Sequence, residues 1–411
     1  MGLSGATGMP LPCPCPGCQH PAGWQRRKRF PNRYQDPPRS QPPGRPDGPQ
    51  GAPPDGWEGG SGSARTAPAD AVLCPQRGTA AAPARILLLA LALLPPGPAA
   101  PCSPQPNATR FVCTEPALRS FPAGLPRTTL AISVEFTALA ALPPAALLPV
   151  PRLQELHLSS NRLGSLPAAL LRPVPALRLL DLTNNLLRDL PAGTFSSSRR
   201  LQHLVLRGNR LRALRPAWFQ HLPRLLWLDL GSNALPELPP GAFRPLRSLR
   251  SLDLSRNLLA ALPPGALAGL GALERLDLEG NRLLTLPPAA FEPAPALRLL
   301  FLQENELREL PPRIFLPLRQ LRVLDLARNR LRELELPPPG PGPALELDLA
   351  GNPWHCGCAL RELLLSAAPL LSAAADTRCA SPAHRRGQEV AALSGAGGCE
   401  HSGAGQQPPG P

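Results

Sequence analysis

Five aspartates recur in this 411-residue chain at intervals of 24 or 48 residues: Asp181, Asp229, Asp253, Asp277 and Asp325. Aligned carboxylates are the groups that acid–base catalysis or a calcium site would need. Each one, however, is the fifth residue of a repeated segment, at a position we expect to face open solvent. A carboxylate that no cleft shields keeps ordinary acidity. We therefore predict that the chain is not an enzyme and needs no cofactor.

A second group of residues that could bind a metal lies near the start of the chain. Its members offer four zinc ligands: Cys13, Cys15, Cys18 and His20. Prolines separate the cysteines, and the surrounding residues 1–85 show no hydrophobic period that would build a folded module around the ion. Such a segment cannot bury enough apolar area to offset its ordering entropy. We predict that residues 1–85 are disordered and that the chain has no metal site.

The charge of the chain is positive, with a formal net charge of +14 carried almost entirely by arginine. The basic run at residues 26–29 is compatible with a nucleic-acid patch or a processing site. A lone charge run in a disordered tail is more simply a solvated segment. We predict no nucleic-acid partner, although the net charge would favour weak contacts with acidic partners.

The element that would position the aspartates is a segment of the form LxxLxLxxN. It starts at Leu153, Leu177, Leu201, Leu225, Leu249, Leu273, Leu297 and Leu321, in steps of 24 residues. Weaker copies start at Thr129 and Ala344. A fixed period of this length is the signature of the leucine-rich repeat, in which coils stack into a solenoid. We predict about ten repeats over residues 129–352, in a horseshoe of the α/β class with a parallel sheet on its concave face.

The alternation within the segment predicts which side chains are buried. The fourth and sixth residues should point inward, as on one side of a strand, and the ninth-position Asn should turn inward to bond backbone groups. The nineteenth residue should add an apolar spine on the convex side. It is Leu147, Leu171, Phe195, Phe219, Phe243, Leu267, Phe291 or Phe315. Proline pairs before this position oppose helix, so the outer arc should be turn-like.

The cysteines bracket the repeats, which predicts disulfide-bonded caps in an oxidising compartment. Cys102 and Cys113 would close an N-terminal cap over residues 101–128. A C-terminal cap over residues 353–399 follows GNPWHCGC, with Trp354 in its core and a helical stretch at 359–371. It contains Cys356, Cys358, Cys379 and Cys399, for which the count alone allows three pairings.

Residues 86–100 have the layout of a secretory signal, with a nine-residue apolar run that is too short to span a bilayer. Their position is explained either by a natural start closer to the run, which we favour, or by a long leader. We expect a secreted, extracellular product with no membrane span, a disordered tail at 400–411, and glycosylation at the sequon of Asn107.

Several segments resemble the leucine-rich alpha-2-glycoprotein family of secreted plasma proteins. They are VEF at 134–136, LQELHLSS at 153–160, LLRPVPALRLLDLT at 170–183, GNPW at 351–354 and DTRCA at 376–380. The resemblance implies an extracellular glycoprotein that modulates transforming growth factor β signalling through endoglin and associated receptors, promotes angiogenesis and binds cytochrome c. It also implies the pairs Cys356–Cys379 and Cys358–Cys399, although the family's cap has fewer cysteines.

A concave sheet offers a wide surface to a protein partner, and Trp and Arg are common among interface hot spots. We predict a partner-binding surface centred on Trp227. Its residues are His157, His203, Trp227, Asp229, Asp253, Arg275 and Phe301. Two other classes stay open: a structural protein of the extracellular matrix, and a plasma carrier that stabilises another protein, which serum gel filtration would reveal as a large complex.

Overall fold

The computed structural model describes residue 102 and residues 108–336, 344–367, 370–372 and 376–395. The predictions for residues 1–85, 86–100 and 400–411, and for Asn107 and Cys399, concern residues outside these ranges. The limits of the predicted domains stay predictions.

A parallel sheet of twelve strands runs through the described residues, and its strands follow one another in chain order with one exception near the C-terminus. The strands are β1 (Arg110–Cys113), β2 (Ala131–Val134), β3 (Glu155–His157), β4 (Leu179–Asp181), β5 (His203–Val205), β6 (Trp227–Asp229), β7 (Ser251–Asp253), β8 (Arg275–Asp277), β9 (Leu299–Phe301), β10 (Val323–Asp325), β11 (Glu346–Asp348) and β13 (Leu370–Ser372). The short strands β12 (Trp354–His355) and β14 (Cys379–Ser381) form a second sheet. The predicted solenoid is confirmed.

The register of the sheet follows directly from the 24-residue period. Leu204 pairs with Leu228, which pairs with Leu252, so each repeat places the same position beside its neighbour. The fourth- and sixth-position leucines are buried throughout, as Leu228 and Leu230 illustrate. The concave face therefore consists of columns of equivalent side chains, one from each coil.

The ninth-position asparagines form a continuous ladder inside the solenoid, as predicted. Asn233 donates to the carbonyl oxygens of Leu206 and Leu230, both at 3.0 Å, and its Oδ1 accepts from the backbone N–H of Leu211 at 3.1 Å. Each asparagine thereby bonds its own coil to the coil before it. These bonds satisfy backbone groups that the turning chain leaves without partners.

Over the repeats that the structure describes, the convex side is built from turns, with one 3-10 helix at Pro216–Trp218. The eight predicted spine residues are all buried. Phe219 and Phe243 lie with ring centroids 5.7 Å apart, and Phe291 stacks on Phe315 at 6.1 Å. The spine is therefore packing and not a binding stripe.

The N-terminal cap is joined both to the sheet and to itself. A disulfide links Cys102 to Cys113, as predicted, and strand β1 pairs with β2 over four residues. Pairing with β1 covers the sheet edge that the first repeat would otherwise expose. The sequence indicated a cap but not this additional strand.

The C-terminal cap contains the predicted Cys356–Cys379 disulfide and a fully buried Trp354, whose Nε1 donates to the carbonyl oxygen of Leu349 at 2.8 Å. The pairing of Cys358 with Cys399 stays a prediction. The helix predicted for 359–371 is wrong at its end, because α1 covers Cys358–Ala367 and Leu370–Ser372 instead form strand β13 beside β11. The sequence has a proline at position 369, a residue type that disfavours helix at the position before it.

The cap is completed by short 3-10 helices at Ala383–Arg385 and Val390–Gly395. In the part of the chain that the structure describes, α1 is ten residues long and no helix has the length and hydrophobicity needed to cross a membrane.

Candidate protein-binding face

The aspartate column does not face open solvent, which corrects the expectation drawn from the repeat pattern. Asp229, Asp277 and Asp325 are buried, with 8%, 6% and 7% of their surface exposed. On a concave face, strands about 4.8 Å apart bring side chains of neighbouring columns together over each carboxylate. Alternation shows the direction of a side chain but not how deeply its neighbours bury it.

Burial changes the acidity of these groups. Desolvation raises the pKa of Asp229 and of Asp277 to about 7, and the negative charge of Asp253 between them adds to both shifts. Desolvation also raises the pKa of Asp325 to about 7. Each carboxylate still accepts a hydrogen bond from the backbone N–H two residues later, which partly opposes the shift. The column is thus electrostatically perturbed, contrary to our expectation.

The side chain of one arginine, Arg207, lies close to two aspartates of the column, Asp229 and Asp253. Nη1 of Arg207 lies 3.7 Å from Oδ1 of Asp229 and 3.1 Å from Oδ2 of Asp253, which is two coils away. The same nitrogen donates to Oγ of Ser255 at 3.4 Å. Gly231 supplies the space, because a Cβ there would overlap the guanidinium of Arg207. Arg207 was not among the predicted site residues, since the period does not show which long side chain crosses its neighbours.

A second arginine covers the aromatic residue of the predicted surface. Arg275 donates to Asp277 at 2.9 Å, and its guanidinium carbon lies 4.3 Å from the ring centroid of Phe301. Phe301 is consequently only 7% exposed. A partner would therefore meet Arg275 before the ring of Phe301, because this cation–π contact places the guanidinium over the ring.

Trp227 lies half-buried in strand β6, in the column of third-position side chains beside the aspartate column. It pairs with His203 on one side and with Ser251 on the other. His203 Nδ1 and Ser251 Oγ are both buried and have no hydrogen-bond partner among the described residues. Burial lowers the pKa of His203, so its ring is neutral near pH 7. Buried polar atoms in proteins nearly always have a hydrogen-bond partner, so two such atoms without one beside the same tryptophan are unusual.

The structure thus brings six of the seven predicted partner-binding residues together on strands β5 to β9. We call this group the concave patch: His203, Trp227, Asp229, Asp253, Arg275 and Phe301, with Arg207 and Ser251 added by the structure. His157 is separate, because strand β3 lies two strands from β5, the nearest strand of the patch, and its side chain lies with a different set of residues.

His157 instead lies with two carboxylates. One potential ligand atom from each of Glu135, His157 and Asp181 lies within 4.8 Å of the others. Glu135 is buried, and the other two are half-buried. The repeat pattern does not indicate this group, because Glu135 belongs to the weak first repeat and occupies its seventh position.

The comparison with family models supports the fold assignment. The family described as leucine rich repeat matches residues 151–211, 199–259, 237–283 and 271–331. The matched ranges carry the strands, the asparagine ladder and the spine described above. These residues are leucine-rich repeats. Such folds typically serve as non-enzymatic scaffolds for protein–protein interaction.

Among curated proteins, the chain is 54% identical over 65 residues to phospholipase A2 inhibitor beta of Elaphe climacophora. The match covers 15% of this chain and spans about 20% of that relative's length. Two solved structures are similar over longer stretches. A leucine-rich-repeat protein of Leptospira interrogans is 26% identical, with a TM-score of 0.51 over 62% of this chain and 74% of that one. The octameric complex of Latrophilin 3, Unc5D and the leucine-rich repeats of FLRT2 contains a chain that is 26% identical, with a TM-score of 0.53 over 67% and 78% of the two chains.

Proposed function

We propose that this protein is a secreted leucine-rich-repeat glycoprotein that binds a protein partner through the concave patch. The observation that carries the proposal is Trp227, half-buried between two buried polar atoms that have no partner within the described residues. A partner that covers the tryptophan would gain contact area, and a turn of the His203 ring or of the Ser251 hydroxyl towards the partner would remove a desolvation penalty.

The charge pattern favours a partner group that carries positive charge. Three aspartates of the patch, at 229, 253 and 277, are shared between two arginines, Arg207 and Arg275. An added cation would offset the remaining negative charge and favour ionisation of Asp229 and Asp277, whose pKa values lie near 7.

For the partner itself, we propose components of transforming growth factor β signalling, with endoglin and associated receptors, and a role in promoting angiogenesis. The support is the resemblance of the segments at 134–136, 153–160, 170–183, 351–354 and 376–380 to leucine-rich alpha-2-glycoprotein. Cytochrome c is a further candidate on the same ground. The presence of a similar repeat chain in the complex with Latrophilin 3 and Unc5D supports a protein-binding role in general. The two described disulfides support secretion.

The similarity to phospholipase A2 inhibitor beta favours a second candidate function, the capture of a phospholipase A2. This function belongs with the carrier alternative, because the protein would act by holding another protein in a complex and not by transmitting a signal.

Surface plasmon resonance of the purified chain tests these candidates side by side. The analytes are the endoglin ectodomain, transforming growth factor β, cytochrome c and a phospholipase A2. We expect saturable binding to endoglin or transforming growth factor β. Binding only to phospholipase A2 would replace the signalling proposal by the second candidate, and no binding to any of the four would reject both.

The site is tested by replacing Trp227 with alanine. Trp227→Ala should weaken binding about 30-fold or more, which corresponds to the roughly 2 kcal/mol of a hot spot. Leu148→Ala is the matched control, because Leu148 is a large apolar residue that is 61% exposed on the convex side. Equal affinities of the two variants and the unaltered chain would move the binding site away from the concave patch.

A further inference from the structure

A group of three side chains, Glu135, His157 and Asp181, lies at the N-terminal end of the concave face and takes no part in the proposed function. Ser133, His157 and Asp181 are direct neighbours in strands β2, β3 and β4. Glu135 follows β2 and brings its carboxylate to the same place from the seventh position of its coil. Three successive coils thus deliver one imidazole and two carboxylates to one point.

The two carboxylates are held in position by neighbouring hydroxyl groups. Oε1 and Oε2 of Glu135 accept hydrogen bonds from Oγ of Ser159 and Oγ of Ser133, both at 2.7 Å. Oδ1 of Asp181 accepts from the backbone N–H and the hydroxyl of Thr183, at 2.8 and 2.6 Å. Each carboxylate oxygen has further acceptor capacity, so these bonds orient the group without blocking it. Supporting bonds of this kind are typical of metal-binding carboxylates.

The ring of His157 lies beside a further carboxylate. Its Nε2 is 3.9 Å from Oε2 of Glu155, which also pairs with Arg110 at 3.3 Å. The separation of Nε2 from Oε2 is beyond hydrogen-bond distance, so Glu155 adds negative charge beside the ring without fixing its orientation. The side chain of His157 is 17% exposed, which leaves an entry from the concave side.

We propose that Glu135, His157 and Asp181 form a zinc site with one open coordination position. Zinc takes nitrogen and carboxylate oxygen ligands at about 2.0–2.2 Å, which places tetrahedral ligand atoms about 3.4 Å apart. Ligand atoms within 4.8 Å of one another reach this geometry by small rotations of the side chains. Three protein ligands leave the fourth position to water or to a donor atom of a bound protein.

The aspartates of the concave patch provide a contrast within the same sheet. There, Asp229 and Asp253 are bridged by the guanidinium of Arg207, a permanent cation that already occupies the space between them. At the proposed site the side chain between the carboxylates is a histidine, which is a metal ligand when neutral.

Equilibrium dialysis of the full chain against zinc chloride, after removal of metal with a chelator, tests the proposal. His157→Gln and Asp181→Asn should each bind one zinc equivalent less than the unaltered chain. The asparagine keeps an oxygen that accepts from Thr183. His221→Gln, an exposed histidine of the convex side, is the control and should bind as the unaltered chain does.

The deciding quantity is the difference in bound zinc between each variant and the unaltered chain, because Cys13, Cys15, Cys18 and His20 offer other zinc ligands. Cobalt substitution distinguishes the proposed site from a site formed by these cysteines. Cobalt bound without thiolate ligands gives visible d–d bands but no sulfur charge-transfer absorption. His157→Gln should remove those d–d bands. Melting curves in chelator identify any variant that is misfolded, in which case the other variant decides. Equal zinc binding by the unaltered chain and a folded variant, or a cobalt spectrum unaffected by His157→Gln, would overturn the proposal.

Discussion

The guanidinium of Arg207 lies over the α-carbon of Gly231 and reaches Asp253, two coils away, with Nη1 3.1 Å from Oδ2. Gly231 has an ordinary backbone conformation, so its lack of a side chain matters here for space alone. A Cβ would also lie 2.9 Å from Oδ1 of Asp253.

Gly231→Ala should therefore displace Arg207 and leave two close carboxylates without their shared cation. We expect a loss of about 1–3 kcal/mol in the free energy of unfolding, measured by urea denaturation. Gly271→Ala is the control, because its added methyl group meets open space and its backbone is equally ordinary. The bridge has no stabilising role if the two variants unfold at the same urea concentration.

Asp325 should make the protein less stable as the pH rises. Its pKa is raised to about 7 in the folded state from 3.8, so the folded protein binds more protons than the unfolded chain between these values. Stability contributed by the neutral acid is complete below about pH 4 and is lost as the pH rises through 7. Asp325→Asn keeps the acceptor for the N–H of Ala327 and removes the buried charge.

The asparagine variant should accordingly be more stable than the unaltered chain at pH 8, by on the order of 1–2 kcal/mol, and nearly equal to it at pH 4. Thermal unfolding across this pH range measures the effect. Glu237→Gln, at an exposed carboxyl group, should leave the pH profile unchanged. A larger gain at pH 4 than at pH 8 would contradict the assignment.

The asparagine ladder should be among the most sensitive parts of the solenoid. Asn257 donates to the carbonyl oxygens of Leu230 and Leu254, both at 3.0 Å, and accepts from the N–H of Leu235 at 3.1 Å. Asn257→Ala leaves these buried groups without partners and should cost about 3 kcal/mol or more. Circular dichroism during urea denaturation measures the loss.

Asn184→Gly provides the comparison for the ladder, because Asn184 is exposed and has a φ of 53°, which glycine adopts readily. We expect this variant to unfold close to the unaltered chain. Similar losses at positions 184 and 257 would show that the ladder bonds carry no special weight.

The convex spine predicts a graded response to truncation. Phe243 is fully buried beside Phe219, so Phe243→Ala should cost about 3–5 kcal/mol through lost contacts and a cavity. Phe243→Leu should cost less, since Leu147, Leu171 and Leu267 occupy the same position in other coils. Calorimetric unfolding of both variants measures the ranking, and equal losses would indicate that the coil collapses around either change.

Much of this molecule follows from its period. The pairing of Leu204 with Leu228, the inward asparagines and the apolar spine are fixed by position within the repeat, because neighbouring coils repeat the same backbone geometry. The burial of Asp229 and the reach of Arg207 across Gly231 depend on how side chains from different coils fill one concave space, which no single repeat specifies. Strand β13 arises where the repeat has ended, so periodicity carries no information about it.

The uniform register makes the residue number a coordinate along the molecule. Because the strand spacing is about 4.8 Å and each coil adds 24 residues in the central array, duplication of one repeat between β4 and β6 would move the proposed zinc site and Trp227 apart by one such step. Neither group would lose a neighbour from its own coil. Insertion of a whole repeat can therefore change the distance between two surface features of such a solenoid. Each feature keeps its local structure.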